Sequence, residues 1–217
     1  MNDTCQQQHR VICFALPFEA AGFFAPPGWE VWTLGCAGGE AEKKFRRRAQ
    51  AQPPAFCILA GLAGGLHPDL HAADIILDTA EDARISELPA GRVHTCERIV
   101  QAAADKATLR IATGADVCDL ETARLRRVAS DMGFPLWSLR SVSDTASQDL
   151  PIPSRLLCRE RDGCTDLPGL IAWLLRHPSC WPDFLQMTAH ARAARKSLHA
   201  ALHVLMQGLN AEVVRKS

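Results

Sequence analysis

Short apolar runs recur along the first two thirds of this chain and alternate with segments of helical periodicity. The apolar runs predict strands at residues 11–16, 29–34, 55–60, 74–78, 117–120 and 136–142. Small or apolar residues at helical spacing predict helices at residues 40–50, 105–112 and 121–132. Because helices separate the strands, the pattern indicates an α/β fold with a central mixed, mostly parallel sheet flanked by helices.

The pattern changes after residue 149. A proline-rich connector at residues 150–153 precedes two segments of helical periodicity, 167–176 and 182–209. We therefore expect one domain over residues 1–217, with an α/β core at 10–150 and a helical C-terminal extension at 151–217. The extension is too short to presume that it folds independently.

Composition and charge favour a cytoplasmic protein. The chain carries 24 basic and 24 acidic residues, so its formal net charge of zero gives no global attraction to nucleic acid or anionic membranes. No apolar run reaches the length of a membrane span, and the polar start of residues 1–18 favours a first strand over a signal peptide. The nine cysteines have irregular spacings without a CxxC pair, which predicts reduced structural thiols rather than a metal site.

Two carboxylates follow predicted strands. Glu121 comes directly after the strand at 117–120, and Asp144 follows the strand at 136–142. Two acids at one edge of a sheet are suited to acid-assisted bond cleavage. Simpler interpretations exist, since Asp144 could cap a turn or helix and Glu121 could favour a helix dipole from the first turn.

Residues 113–150 resemble the nucleoside phosphorylase and nucleosidase superfamily. In that family a Met-Glu pair holds the ribose and a Ser-Asp pair meets the purine, and the matching pairs here are Leu120-Glu121 and Ser143-Asp144. The segments at 15–19, 35–39 and 58–78 match family loops in the same order. The resemblance covers most of residues 10–150 and implies the family's fold.

The same resemblance implies roles for single residues. Asp144 would be the acid beside the purine, and burial would help it to keep its proton near neutral pH. Ser143 would orient it, Glu121 would accept hydrogen bonds from the ribose, and Leu120 would pack on the sugar. Glu19 would activate water in a nucleosidase or orient the sugar in a phosphorylase, although it could be an ordinary surface-loop acid.

The glycine segments imply a possible phosphate site. Backbone N–H groups of Gly38, Gly39 and Gly61 are the candidates, with simple turn formation as the alternative for each. The segment at 61–65 is predicted as a loop of this kind.

A closer resemblance is to the hopanoid-associated branch that includes adenosylhopane phosphorylases. It rests on LPFEA, GLAGGLHPDL, DKATLRIATGADVCDLET and RHPSCWPDFLQMTAHARAARKSLHAAL. This resemblance implies phosphorolytic release of adenine from an adenosyl-lipid in hopanoid biosynthesis, with inorganic phosphate as co-substrate and no metal or organic cofactor. The alternatives are a hydrolytic 5′-methylthioadenosine/S-adenosylhomocysteine nucleosidase and a noncatalytic nucleoside-binding protein. The superfamily also implies a homodimer.

The last helical segment has one leucine-rich face. The face contains Leu198, Leu202, Leu205 and Leu209, with basic residues on other parts of the surface. Packing on the core is one interpretation. The other is a basic amphipathic helix that gives the protein a peripheral membrane contact.

Overall fold

Seven strands form one sheet at the centre of the computed structural model, which describes residues 9–35, 39–79, 87–157 and 165–216. The strands are β1 (Arg10–Phe14), β2 (Trp29–Thr33), β3 (Phe56–Gly65), β4 (Ile75–Asp78), β5 (Val93–Thr95), β6 (Val117–Asp119) and β7 (Leu136–Asp144). The helices are α1 (Pro17–Ala20), α2 (Gly39–Ala51), α3 (Ala103–Thr113), α4 (Thr122–Asp131), α5 (Ser154–Leu157), α6 (Leu167–Arg176) and α7 (Trp181–Lys216).

The sheet is mixed and mostly parallel, which confirms the predicted fold class. β1 pairs in parallel with β2 and β3, β3 with β7, and β5 with β6. The β3–β6 and β4–β7 pairs are antiparallel. The predicted core strands and helices all appear, with boundaries shifted by a few residues.

Both faces of the central strands are covered. Val11 packs on one face with α2 and α4, whereas the next residue, Ile12, packs on the opposite face with α7. Successive strand residues point to opposite faces, so a continuous apolar run is the pattern required of a strand between two helical layers.

The prediction of a glycine loop at residues 61–65 is wrong. These residues continue β3. The segment from Cys57 to Ala63 stays in register with β7, and the register shifts by one residue between Ala63 and Gly64. Glycine is a poor indicator of strand from sequence, but here neighbouring strands supply hydrogen-bond partners and neighbouring side chains fill the space above the glycines. A Cβ at Gly64 would lie 3.3 Å from both Asp144 Oδ2 and Cys118 Sγ.

The leucine face of α7 packs on the sheet, as the core interpretation predicted. Leu198, Leu202 and Leu205 are wholly buried, and Leu209 packs against the same cluster. This face is therefore not available for a membrane contact. Within the described ranges, the search for a helix with the length and apolar character needed to cross a membrane finds none.

Candidate active site

The ends of β1, β3 and β7 surround a cavity of about 280 Å³. The cavity brings together every catalytic and substrate-binding residue predicted from the sequence: Glu19, Leu120, Glu121, Ser143 and Asp144. Its remaining wall is largely apolar and includes Leu62, Ile99, Val100, Leu150, Leu157 and Met187.

Glu19 is a buried carboxylate held by the backbone. β1 ends before Pro17, which starts the short helix α1 and turns Glu19 back toward the sheet. Its Oε2 accepts a hydrogen bond from the Leu16 amide and its Oε1 accepts one from the Leu62 amide, each at 2.8 Å. Burial raises the pKa of Glu19, and these two hydrogen bonds offset the rise in part. The surface-loop interpretation is therefore wrong, since only 3% of the residue is exposed.

The C-terminal helix supports the position of Glu19. His199 Nε2 on α7 donates a hydrogen bond to the Glu19 carbonyl oxygen at 2.7 Å. Arg195, on the same helix, lies over the Phe18 ring. The tertiary structure thus gives His199 a supporting contact to α1.

Glu121 lies where β6 passes into α4. It occupies the N-cap position, yet its side chain makes no capping hydrogen bond to the helix. Burial, the neighbouring Asp119 carboxylate and Glu19 raise the pKa of Glu121 to about 8, against the opposing effect of Arg140. A buried acceptor without a capping role is suited to bind donors such as sugar hydroxyls.

Asp144 is hydrogen-bonded through both carboxylate oxygens. Ser143 Oγ donates to Oδ1 at 2.7 Å, as the expected orienting role requires. Lys106 Nζ donates to Oδ2 at 2.5 Å, and the Lys106 side chain is wholly buried. The sequence did not indicate that a buried ammonium group pairs with Asp144.

Arg140 was not identified from the sequence. This residue lies inside β7 and is wholly buried. Nη2 donates to Asp119 Oδ2 at 2.5 Å, and Nε donates to Ser138 Oγ at 3.0 Å. An arginine in the middle of a predicted core strand, four residues before Asp144, was the available signal, since arginine is almost never fully buried unless paired.

The third nitrogen of the Arg140 guanidinium, Nη1, faces Glu19 across Gly61. Its Nη1 is buried and has no hydrogen-bond partner among the described residues. A Cβ at Gly61 would overlap Nη1 and would lie 2.9 Å from Glu19 Oε1. Gly61 thus allows the arginine and the glutamate to approach each other at the base of the cavity.

The three glycines predicted to bind phosphate have different surroundings. Gly61 lies within β3, so the turn alternative is wrong for it. Gly39 begins α2 and is not among the described residues that line the cavity, while Gly38 lies outside the described residues. In the described part of the chain, no three His, Cys, Asp or Glu side chains are grouped in a way that could hold a metal ion.

This fold is the one found in a class of nucleoside-cleaving enzymes. The chain is similar to the futalosine hydrolase of Helicobacter pylori, with a TM-score of 0.65, 15% identity, and coverage of 94% of this chain and 99% of that one. It is also similar to the Arabidopsis thaliana 5′-methylthioadenosine nucleosidase, with a TM-score of 0.64, 16% identity, and coverage of 93% and 95%.

A third structure is bound to a ligand. This is the H. pylori 5′-methylthioadenosine/S-adenosyl homocysteine nucleosidase in complex with a substituted pyrrolidinol, with a TM-score of 0.64 and 14% identity over 92% of this chain and 98% of that one. No family model matches the chain, and no curated protein matches its sequence. At these identities the likeness shows a shared fold.

Proposed function

We propose that this protein is an enzyme that cleaves the N-glycosidic bond of an adenine nucleoside. The observation that carries the proposal is the convergence of Glu19, Glu121 and Asp144 in one cavity. The shared fold supports it, because two of the similar structures are named for cleavage of 5′-methylthioadenosine.

Charge development in the reaction matches the three acids. Breaking the bond leaves positive charge on the ribose and negative charge on the base. Hydrogen bonds from the ribose hydroxyls would favour the ionised form of Glu121, and this form would stabilise the cationic sugar. Asp144 would donate a proton to the purine. Ser143 holds Asp144, and Leu120 gives the sugar an apolar surface.

The described cavity favours water over phosphate as the nucleophile. Asp119 pairs with Arg140 and Asp144 pairs with Lys106, whereas Glu19 and Glu121 make no ion pair among the described residues. A phosphate dianion beside Glu19 would be repelled. A neutral water between Glu19 and Arg140 Nη1 would instead be oriented by the arginine and deprotonated by the glutamate. Burial raises the pKa of Glu19, which makes it a stronger base than an exposed carboxylate.

Phosphorolysis is the second candidate. The resemblance to the hopanoid-associated branch implies it, and the unpartnered Nη1 of Arg140 is a buried donor that an anion could use. The apolar wall suits a nucleoside with an apolar 5′ substituent, and both a methylthio group and an adenosyl-lipid meet that description.

One incubation series separates these functions. The intact protein would be mixed with adenosine, 5′-methylthioadenosine or S-adenosylhomocysteine, with and without phosphate, and adenine and the sugar product would be quantified. We expect phosphate-independent adenine release with free sugar. Phosphate-dependent release with a sugar 1-phosphate would instead establish phosphorolysis, and nucleoside binding without any adenine release would indicate the noncatalytic alternative.

The homodimer stays a prediction, which sedimentation velocity would test.

A further inference from the structure

Lys106 is a buried cation whose contacts converge on the end of β7. It lies on α3, 38 residues from Asp144, and its side chain is wholly buried. Nζ donates to Asp144 Oδ2 at 2.5 Å, to the Thr145 carbonyl at 2.8 Å and to the Gln148 carbonyl at 2.9 Å. An ammonium group has three protons, so each one has an acceptor.

This arrangement leaves Asp144 as an acceptor on both oxygens. Ser143 Oγ lies 3.2 Å from the Ala63 carbonyl oxygen and 2.7 Å from Asp144 Oδ1, so we place its one proton on the shorter contact to Oδ1. Lys106 donates to Oδ2. A carboxylate in that state has no proton of its own to give to a departing base. Lys106 holds the nearest transferable proton among these contacts, on a short charge-assisted hydrogen bond.

We propose that Lys106 is a positioning residue for Asp144 and the source of the proton that Asp144 passes to the leaving adenine. The inference rests on the proposed function. As the glycosidic C–N bond breaks, its electron pair moves onto the purine. The Asp144 carboxylate takes a proton from Lys106 Nζ and gives it to a purine nitrogen, which leaves a neutral amine, an Asp144 carboxylate and neutral adenine.

The structure also offers a route by which the proton can return. A second cavity of about 250 Å³ is lined by Asp144, Gln148, Asp149 and His190. Hydrolysis transfers one proton from the attacking water to Glu19, and this proton then exchanges with solvent. After adenine leaves, solvent that enters the second cavity would return one proton to Asp144, which passes it to Lys106.

The test compares leaving groups. 5′-Methylthioadenosine releases a base that needs a proton, whereas 4-nitrophenyl β-D-ribofuranoside releases a phenolate that is stable without one. For Lys106→Met we expect kcat on 5′-methylthioadenosine to fall about a hundredfold, which is also the fall we expect for Asp144→Asn. The kcat of Lys106→Met on the nitrophenyl riboside should stay within about threefold of the wild-type value. The double variant should be no slower than either single variant, because both residues act in one step.

Arg110→Met is the matched control. Arg110 also ties α3 to its surroundings, through Asp116 at 2.8 Å and the Ala115 carbonyl at 2.6 Å, but it is not among the residues that line the catalytic cavity. We expect this variant to leave the ratio of the two substrates unchanged.

Near-normal turnover of 5′-methylthioadenosine by folded Lys106→Met would overturn the inference. So would an equal loss on both substrates, because it would indicate a general structural role. If the methionine variant does not fold, Lys106→Gln can replace it, because glutamine keeps a neutral hydrogen-bond donor. Lys106→Gln should also lose kcat on 5′-methylthioadenosine and keep kcat on the nitrophenyl riboside. If the wild-type protein releases no adenine from any nucleoside, the proposed function itself is wrong, and this inference falls with it.

Discussion

Three carboxylates of the cavity have different surroundings, so each is suited to a different chemical role. Glu19 is held by two backbone amides, Glu121 lies beside Asp119, and Asp144 is paired with Lys106. Hydrogen bonds, like charges and opposite charges change the proton affinity of an acid in different directions. The same functional group can therefore act as base, sugar acceptor and proton donor within one cavity.

Replacement of Asp144 tests whether this residue is the acid that protonates the base. Asp144→Asn should keep the fold and most of the nucleoside affinity but lower kcat on an adenine nucleoside by about a hundredfold, since the amide cannot pass a proton to the base. Steady-state kinetics would measure this, with Asp69→Asn as control because Asp69 is an exposed acid that lines neither cavity. Near-normal turnover by Asp144→Asn would remove Asp144 from the acid role.

At the scale of the element, the glycines of β3 determine how closely other side chains approach. Gly61→Ala would place a methyl group against Arg140, which cannot move freely because Asp119 and Ser138 hold it. We expect at least a tenfold fall in turnover and a loss of about 1–3 kcal/mol in the free energy of unfolding. Kinetics and urea denaturation would measure the two effects.

Gly39→Ala is the control for that substitution. A Cβ at Gly39 meets open space at the start of α2, so stability should stay level or rise by about 0.5–1 kcal/mol. Equal turnover and equal free energies of unfolding for the two alanine variants would show that the close approach at Gly61 has no functional importance.

The packing of α7 gives a second test at this scale. Leu202 is wholly buried against the sheet, whereas Val204 on the same helix is 48% exposed. Leu202→Ala should lower the free energy of unfolding by about 2–5 kcal/mol, because it removes buried apolar volume. Val204→Ala should change it by less than about 0.5 kcal/mol. Similar losses for both variants in urea denaturation would contradict the packed helix.

Buried acids make the stability of the whole molecule depend on pH. The pKa of Glu121 is raised from 4.5 to about 8, so the folded protein keeps this proton over a range in which the unfolded chain has lost it. Because the folded state binds more protons there, the free energy of unfolding falls as pH rises from about 4.5 to about 8. Glu19, whose pKa is also raised, acts in the same direction.

Glu121→Gln should flatten this dependence. We expect little difference from wild type near the lower end of that pH window and a gain of a few kcal/mol above its upper end, together with weaker discrimination for ribose hydroxyls. Urea denaturation at several pH values would measure the stability, with the surface substitution Glu97→Gln as control. Parallel pH curves for wild type and Glu121→Gln would show that Glu121 is not the group responsible.

The sequence alone determined the order of the strands and helices except β5, α1 and α5, and the positions of the two acids at the ends of β6 and β7. It also determined that α7 has one face suited to the core. These features depend on residues close together in the chain, since burial repeats with the local period of a strand or helix. The superfamily resemblance, together with these positions, was enough to predict which residues would meet in the cavity.

Only the tertiary structure decided that the glycines at 61–65 continue a strand, that β4 runs antiparallel to β7 and that β6 runs antiparallel to β3. It alone placed Lys106 on Asp144, Arg140 beside Glu19, and His199 behind α1. The reason is that a strand's partners and a buried charge's counter-ion come from distant parts of the chain. Local periodicity does not indicate which distant residue pairs with a strand or neutralises a buried charge.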